Sequence, residues 1–229
     1  MFKIPELVIF DLDNTLYDFS AANQSGEEAL VRFLGATLSQ SNSEIARQIA
    51  DARLRVKKNL GKTAASHSRL LYIRDFLNRN RISMHSSFAL ECEQVFWRAY
   101  LDKTLLFDGV EELISFLRLN RTKLVLITDL STNVQLKKLA WLGLDKSFEL
   151  VITSEEAGGD KETGKPETML RSYIAPTIDN IWSIGDTDWD HLYPSESIFF
   201  KKVQSGKFVG VRKNTYEFSS FSDLLMNIK

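Results

Sequence analysis

Short apolar runs that end in polar or turn residues constrain the fold of this chain most. They are Leu7–Phe10, Lys123–Thr128, Leu150–Thr153, Ile181–Ile184 and Phe208–Val211. Apolar residues follow one another in these runs without alternation, as in strands that are buried on both faces of a parallel sheet. Helical patterns lie between the runs. The alternation predicts an α/β fold with right-handed βαβ units and a doubly wound parallel sheet.

Helices are predicted between these runs at Gly109–Leu119, Val134–Leu142 and Glu167–Ile174. The second helix has Leu136, Leu139 and Ala140 in register, which we interpret as its buried face. The third helix follows Pro166, a residue that is favoured in the first turn of a helix.

The interval between the first and second runs breaks this alternation. It covers residues 11–122, far more than the dozen or so residues that a crossover needs. Apolar residues recur in it at helical spacing, at Leu70, Ile73 and Leu77 and at Phe88, Cys92, Val95, Phe96 and Ala99. A structureless loop of this length would be anomalous. We therefore predict an inserted all-helical domain of residues 18–104, with residues 1–17 and 105–229 forming the sheet domain.

Composition excludes several classes of protein. Charged residues make up 26% of the 229 residues and the formal net charge is -1, so no basic excess is available to bind a nucleic-acid backbone. No apolar stretch is long enough to span a membrane. The single cysteine, Cys92, cannot form an intramolecular disulfide, and we expect a cytoplasmic protein. The sequence leaves open whether the protein is a monomer or a homodimer.

Two carboxylates directly follow the first run, in Asp11-Leu12-Asp13. In an open parallel sheet, ligands bind beyond the carboxyl ends of the strands. Asp11 is therefore a candidate nucleophile, and Asp13 a candidate acid and base that protonates a leaving group and then activates water. The alternative interpretation is a turn with capping residues, which Asp and Asn also favour.

Three further strand ends carry candidate site residues. The hydroxyl of Thr128 and the backbone N–H of Asp129 could bind a phosphoryl oxygen, and Lys165 could neutralise its charge. Carboxylates cluster after the fourth run in Gly185–Asp190, and hard oxygen donors of this kind suit Mg²⁺. Each feature alone also suits a cap or a solvated loop. Together they predict one site at one edge of the sheet.

The four motifs resemble those of the haloacid dehalogenase-like hydrolase superfamily. The matching segments are DLDNT at 11–15, Thr128, Lys165 and GDTDWD at 185–190. The resemblance implies a Rossmannoid core with a helical cap inserted after the first strand. It implies that Mg²⁺ is held by Asp11, the backbone carbonyl of Asp13, Asp186 and Asp190. It also implies phosphate binding by Asp11, Leu12, Asp13, Thr128, Asp129 and Lys165.

Two details of the resemblance concern the lysine and the outer metal contact. Segment 158–166 (GGDKETGKP) looks like that of the acylneuraminate phosphatase branch, which favours Lys165 over Lys161 as the motif lysine. After Asp190 the chain lacks the small-residue helix that is usual in the family, and Pro194 would break or start a helix. Asp188 is therefore a rival to Asp190 as the outer metal contact.

A polar stretch at 61–69 interrupts the helical patterns of the insert. Its His67 and Arg69 are candidate specificity residues that could contact a substrate, although the pattern favours the alternative of an inter-helix turn with Ser66 as a cap.

The combined motifs predict a Mg²⁺-dependent phosphatase that acts on a small metabolite, such as a sugar phosphate, through a phospho-aspartate on Asp11. The presence of Asp13 argues against dehalogenase chemistry, because dehalogenases of the superfamily lack an aspartate at this position. Two alternatives remain at the level of sequence: a phosphomutase of the same superfamily, and a phosphate-binding protein that keeps the fold without turnover.

Overall fold

The structure is a computed structural model that describes residues 2–82, 85–174, 178, 180–192 and 197–228. By its internal contacts the chain divides into two compact units. The first consists of Met1–Asp18 and Leu105–Lys229, and the second of Phe19–Thr104.

The first unit is built on a seven-stranded sheet. Its strands are β1 (Leu7–Phe10), β2 (Lys123–Thr128), β3 (Leu150–Thr153), β4 (Ile181–Gly185), β5 (Ser197–Lys202), β6 (Val209–Arg212) and β7 (Thr215–Phe218). They lie in the order β3-β2-β1-β4-β5-β7-β6, and every pair is parallel except β6 with β7. The strand order reverses at the pair β1/β4, which makes that pair the topological switch point of a doubly wound sheet. The predicted α/β fold class is confirmed.

Helices connect these strands and form the second unit. They are α1 (Phe19–Leu38), α2 (Asn42–Leu60), α3 (Arg69–Arg79), α4 (Ser86–Leu101), α5 (Val110–Leu119), α6 (Thr132–Trp141), α7 (Ser154–Ala157), α8 (Lys165–Arg171) and α9 (Phe221–Ile228). The sheet core contains Leu7, Ile9 and Val125. Because β1 is buried at every position, it can position a polar residue at its end without exposing the strand.

The second unit is a helical bundle in which α1 packs closely on α4. Both apolar stripes expected from the sequence contribute to its interior, for example through Ile73 and Phe96. Gly26 makes the close packing feasible, because a Cβ at this position would lie 2.8 Å from the Phe96 ring.

The C-terminal part of the sheet differs from the sequence prediction. The run Phe208–Val211, expected as a buried parallel strand, corresponds to β6, which is exposed and antiparallel at the edge of the sheet. Strands β5 and β7 were not predicted. Pro194, where we expected a helix to break or start, lies outside the described residues.

The buried face of α6 is also not the predicted one. Leu136 and Ala140 are exposed, whereas Gln135, Lys138 and Leu139 are buried. Apolar periodicity failed here because the helix turns two polar side chains inward, toward Asp13.

None of the helices in the described ranges is both long and apolar enough to cross a lipid bilayer.

Candidate active site

Asp11 lies at the carboxyl end of β1, at the switch point of the sheet. Its backbone N–H donates to the carbonyl of Ile184 at 2.9 Å, which continues the pairing of β1 with β4. The Thr15 hydroxyl donates to Oδ2 of Asp11 at 2.8 Å. The side chain is only 5% exposed, so its carboxylate is held in one orientation away from bulk water.

Two further carboxylates meet Asp11 there. One oxygen from each of Asp11, Asp186 and Asp190 lies within 4.8 Å of the others. Asp190 belongs to a short 3-10 turn, in which Thr187 donates to Oδ2 of Asp190 from its backbone N–H and its hydroxyl, both at 2.8 Å. Gly185 allows this approach, because a Cβ there would collide with the side chain of Asp190.

Asp188 points elsewhere. Its carboxylate is 3.0 Å from the ammonium of Lys201 and 3.2 Å from the guanidinium of Arg212, and its side chain is exposed. These hydrogen bonds lower the pKa of Asp188, first through Lys201. Of the two candidates for the outer metal contact, the structure therefore brings Asp190 to the cluster and leaves Asp188 at the surface.

The lysine at this site is Lys161. Its Nζ donates to Oδ1 of Asp11 at 2.6 Å and also to Oδ1 of Asp190, and the side chain is buried. Lys165 is exposed at the start of α8, and its Nζ donates to the carbonyl of Gly158 at 2.7 Å. The prediction that Lys165 and not Lys161 lies at the site is wrong, because Lys161 is the lysine that contacts Asp11.

The loop geometry explains why Lys161 reaches the site. A 3-10 turn over Lys161–Thr163 places the lysine at the first position, and its backbone N–H donates to the Asp129 carboxylate at 2.9 Å. Sequence spacing alone did not decide between two lysines four residues apart. The sequence signal that could have identified Lys161 is Asp129, the acidic residue after β2, because its carboxylate accepts the backbone N–H of Lys161.

Burial has the largest effect on the pKa values of the cluster, and the charges of Lys161 and of the neighbouring carboxylates modify it. Burial raises the pKa of Asp186 to about 6, with a further contribution from Asp190. Burial also raises the pKa of Asp11 well above its usual value, opposed by Lys161. Burial by itself lowers the pKa of Lys161, but the charges of Asp11 and Asp190 outweigh it and hold the pKa well above its usual value, so the lysine remains protonated. One ammonium group thus faces three carboxylates.

This arrangement fits a hard divalent cation. The converging donors are carboxylate oxygens, the ligand type that Mg²⁺ prefers. With all three carboxylates ionised, Lys161 leaves two negative charges without compensation, and bound Mg²⁺ would supply the balancing charge. Asp11, Asp186 and Asp190 are the side chains that could hold it.

Asp13 contacts a different set of groups, provided largely by α6. Nζ of Lys138 lies 2.8 and 2.9 Å from its two carboxylate oxygens, and the Tyr17 hydroxyl donates to Oδ1. Gln135 approaches Oδ2 with its amide nitrogen at 3.4 Å. Neither α6 residue was predicted from the sequence, although their three-residue spacing places them on one helical face.

Thr128 ends β2 beside this network, and Asp129 follows it. The amide nitrogen of Gln135 donates to the Thr128 hydroxyl and to the Asp129 carbonyl, each at 2.6 Å. Leu12 is buried directly after β1. The sheet register, which aligns Phe10 with Leu126 on β2, brings these residues to the same edge as Asp11.

His67 and Arg69 lie in the second unit. Arg69 is buried at the start of α3, where it donates to Oδ1 of Asn23 at 2.6 Å and to the carbonyl of His67 at 3.2 Å. Its guanidinium stacks on Phe96, 5.0 Å from the ring centroid. Arg69 also lines a cavity of about 580 Å³ in this unit. The Ser68 side chain, not that of Ser66, caps α3.

A family model described as haloacid dehalogenase-like hydrolase matches residues 5–190. The chain belongs to this family. It is 37% identical over 180 residues to a ribulose-1,5-bisphosphate 5-phosphatase from Halopiger xanaduensis, covering 78% of this chain and 75% of that protein. The family match and this relative together identify the chain as a phosphatase of the haloacid dehalogenase-like family, as the sequence predicted.

Solved structures share the fold at low identity. A β-phosphoglucomutase-like protein from Thermotoga maritima is 15% identical with a TM-score of 0.65, covering 98% of this chain and 100% of its own. The magnesium-bound hydrolase YfnB from Bacillus subtilis is 19% identical with a TM-score of 0.65, covering 99% of each chain. A 2-haloacid dehalogenase from Pseudomonas syringae is 20% identical with a TM-score of 0.68, covering 97% of each. At these identities the likeness establishes the fold alone.

We expect Lys161→Met to lower kcat by about 10²-fold or more, because removing one preorganised charge at such a site typically costs about 10²–10³ in rate. Lys165→Met, which removes an exposed lysine four residues away, is the matched control and should stay within about threefold of wild type. Phosphate release measured with Mg²⁺ present tests both, after circular dichroism has verified folding. Equal losses in the two variants would contradict the placement of the lysines.

The pKa of Asp186 predicts a pH dependence of metal-free stability. Its folded-state pKa of about 6 lies above the ordinary value of 3.8, so between these pH values the folded state binds more protons than the unfolded state. The contribution of Asp186 to the free energy of unfolding should therefore fall as pH rises from about 4 to about 6. Asp186→Asn should flatten this slope and make the metal-free protein more stable than wild type at pH 7, in urea titrations with chelator.

The same titrations with Mg²⁺ supply the control. A ligand that binds only the folded state raises stability by mass action. Mg²⁺ should therefore stabilise wild type and the surface variant Asp188→Asn alike, and Asp186→Asn much less. A Mg²⁺ effect that is lost in Asp188→Asn instead would contradict the assignment of the cluster.

Proposed function

We propose that this phosphatase hydrolyses a small sugar phosphate with Mg²⁺, through a covalent phosphate on Asp11. The observation that carries the proposal is the meeting of Asp11, Asp186, Asp190 and Lys161 at the switch point of the sheet. A buried carboxylate next to a lysine and two further carboxylates suits attack on a phosphate whose charge must be neutralised.

In the first step, an Asp11 oxygen attacks phosphorus and the bond from phosphorus to the leaving alkoxide breaks. Asp13 donates a proton to that alkoxide, so the sugar leaves as an alcohol. Lys161 neutralises charge on the phosphoryl oxygens, and the Thr128 hydroxyl donates a hydrogen bond to one of them. When bound, Mg²⁺ would neutralise the carboxylates and so allow the anionic nucleophile to approach the anionic substrate.

In the second step, Asp13 takes a proton from water, and the water oxygen attacks phosphorus. The bond between phosphorus and the Asp11 oxygen breaks, which releases inorganic phosphate and restores the carboxylate. The Thr15 hydroxyl, 2.8 Å from Oδ2 of Asp11, fixes the orientation of that carboxylate.

The substrate class rests on the curated relative. That protein is named for a phosphorylated pentose with two phosphate groups, and the alignment with it covers most of both chains. We propose a sugar phosphate or bisphosphate for this chain, hydrolysed in the cytoplasm. The resemblance to the acylneuraminate phosphatase branch and the role of His67 and Arg69 in specificity remain predictions.

Asp11→Asn should abolish turnover and the covalent phospho-enzyme, because the amide cannot serve as the nucleophile. Asp145→Asn, at an exposed position, should retain wild-type kcat. Phosphate release and acid-quenched trapping of labelled phosphate on the protein test both variants. Chelator should eliminate wild-type activity and added Mg²⁺ should restore it. Trapped phosphate in Asp11→Asn equal to wild type would exclude this residue as the nucleophile.

A panel of phosphate esters tests the substrate class. We expect kcat/KM for ribulose 1,5-bisphosphate or another pentose or hexose phosphate to exceed that for nucleotides and phosphorylated carboxylic acids by at least about tenfold. Phosphorus NMR of the product identifies which ester bond is cleaved. A preference for nucleotides would contradict the sugar-phosphate proposal without affecting the role of Asp11.

A further inference from the structure

Lys138 is a lysine on α6 whose side chain is only 1% exposed. Its Nζ lies 2.8 Å from one carboxylate oxygen of Asp13 and 2.9 Å from the other. The same ammonium lies 5.8 Å from the centroid of the Tyr17 ring, whose hydroxyl donates to Oδ1 of Asp13. Asp13 is thus held from two sides.

Stability does not explain a buried lysine at this position. Taking an ammonium group out of water is costly, and replacing a buried ion pair by apolar side chains of similar volume is often neutral or stabilising. Gln135, one turn earlier on the same face of α6, also has a buried Oε1 that lacks a hydrogen-bond partner among the described residues. Polar groups with such costs point to a role in positioning.

We propose that Lys138 is a positioning residue that fixes the Asp13 carboxylate for proton transfer, an inference that rests on the acid–base role proposed above. Tyr17 supports Oδ1 of Asp13. Gln135 connects Asp13 to Thr128, since its amide nitrogen contacts Oδ2 of Asp13 at 3.4 Å and the Thr128 hydroxyl at 2.6 Å. One face of α6 therefore sets the position of the acid–base group relative to the group that binds phosphate.

The test separates positioning of the acid from general damage by varying the leaving group. A sugar alkoxide needs a proton to leave, whereas 4-nitrophenolate leaves without one. Lys138→Met should therefore lower kcat/KM for a sugar phosphate by about 10–100-fold, because general acid–base catalysis contributes about 10²–10⁴ and a misplaced group loses part of it. The loss for 4-nitrophenyl phosphate should stay below about threefold. Lys137→Met, at the exposed neighbour, should match wild type on both substrates.

A double-mutant cycle asks whether Lys138 acts through Asp13. Asp13→Asn alone should show the same dependence on the leaving group, and adding Lys138→Met to it should cause no further loss. Wild-type activity in Lys138→Met, equal losses on both substrates, or an additional loss in the double variant would each overturn the proposal. If Asp13→Asn keeps full activity on the sugar phosphate, the acid–base role itself fails, which is a separate outcome.

Tyr17→Phe decides the matter if Lys138→Met does not fold. This substitution removes one hydroxyl from a buried ring and leaves Lys138 in place. We expect kcat/KM for the sugar phosphate to fall by about 3–10-fold and kcat/KM for 4-nitrophenyl phosphate to change little. The loss is smaller than in Lys138→Met because Tyr17 contributes less than Lys138 to the positioning of Asp13. A folded Tyr17→Phe variant with wild-type kcat/KM on both substrates would overturn the proposal.

Discussion

The excess of negative charge at the end of β1 and β4 is the constraint on which the rest of this structure depends. The carboxylates of Asp11 and Asp190 are buried with the ammonium group of Lys161, and the half-buried carboxylate of Asp186 lies beside them. Such a group of like charges persists only when positive charge is nearby, because desolvation and repulsion both favour the neutral acids. The sheet, the turn at Asp190 and the loop at Lys161 all serve to keep these groups together.

The parallel sheet makes this convergence feasible with little chain devoted to it. β1 pairs with β2 and β4 in a register that aligns Phe10 with Leu126 and with Ile184. The polar residues that follow each strand therefore emerge at one edge. The strands themselves are apolar, so the energetic cost of the polar cluster is offset by burial elsewhere in the same layer.

The parts of the fold that could be predicted were those with unbroken apolar runs. β1, β2 and β3 have the predicted bounds, and β4 is one residue longer than predicted because it ends at Gly185. β5 (Ser197–Lys202) and β7 (Thr215–Phe218) were not predicted because they mix polar and apolar residues. Such a mixture is typical of strands toward the edge of a sheet.

The acidic residues of the site could be predicted because the ends of their strands could be predicted. The place of Lys161 could not be predicted, since it depends on a turn held by the Asp129 carboxylate. Lys138 and Gln135 were hidden for another reason: a pattern search assigns polar helical residues to solvent, and here they face Asp13. Tertiary contacts, which periodicity does not record, decided both cases.

The long separation between β1 and its neighbours imposes an order on how the chain assembles during synthesis. β1 ends at residue 10, but β2 begins at residue 123 and β4 at residue 181, so both partners of this strand leave the ribosome much later. The helical unit Phe19–Thr104 is continuous in sequence and rich in local contacts, which favours rapid folding. The strand that carries Asp11 must therefore wait with both hydrogen-bonding edges open, and a nascent chain of this kind is most exposed to mispairing in that interval.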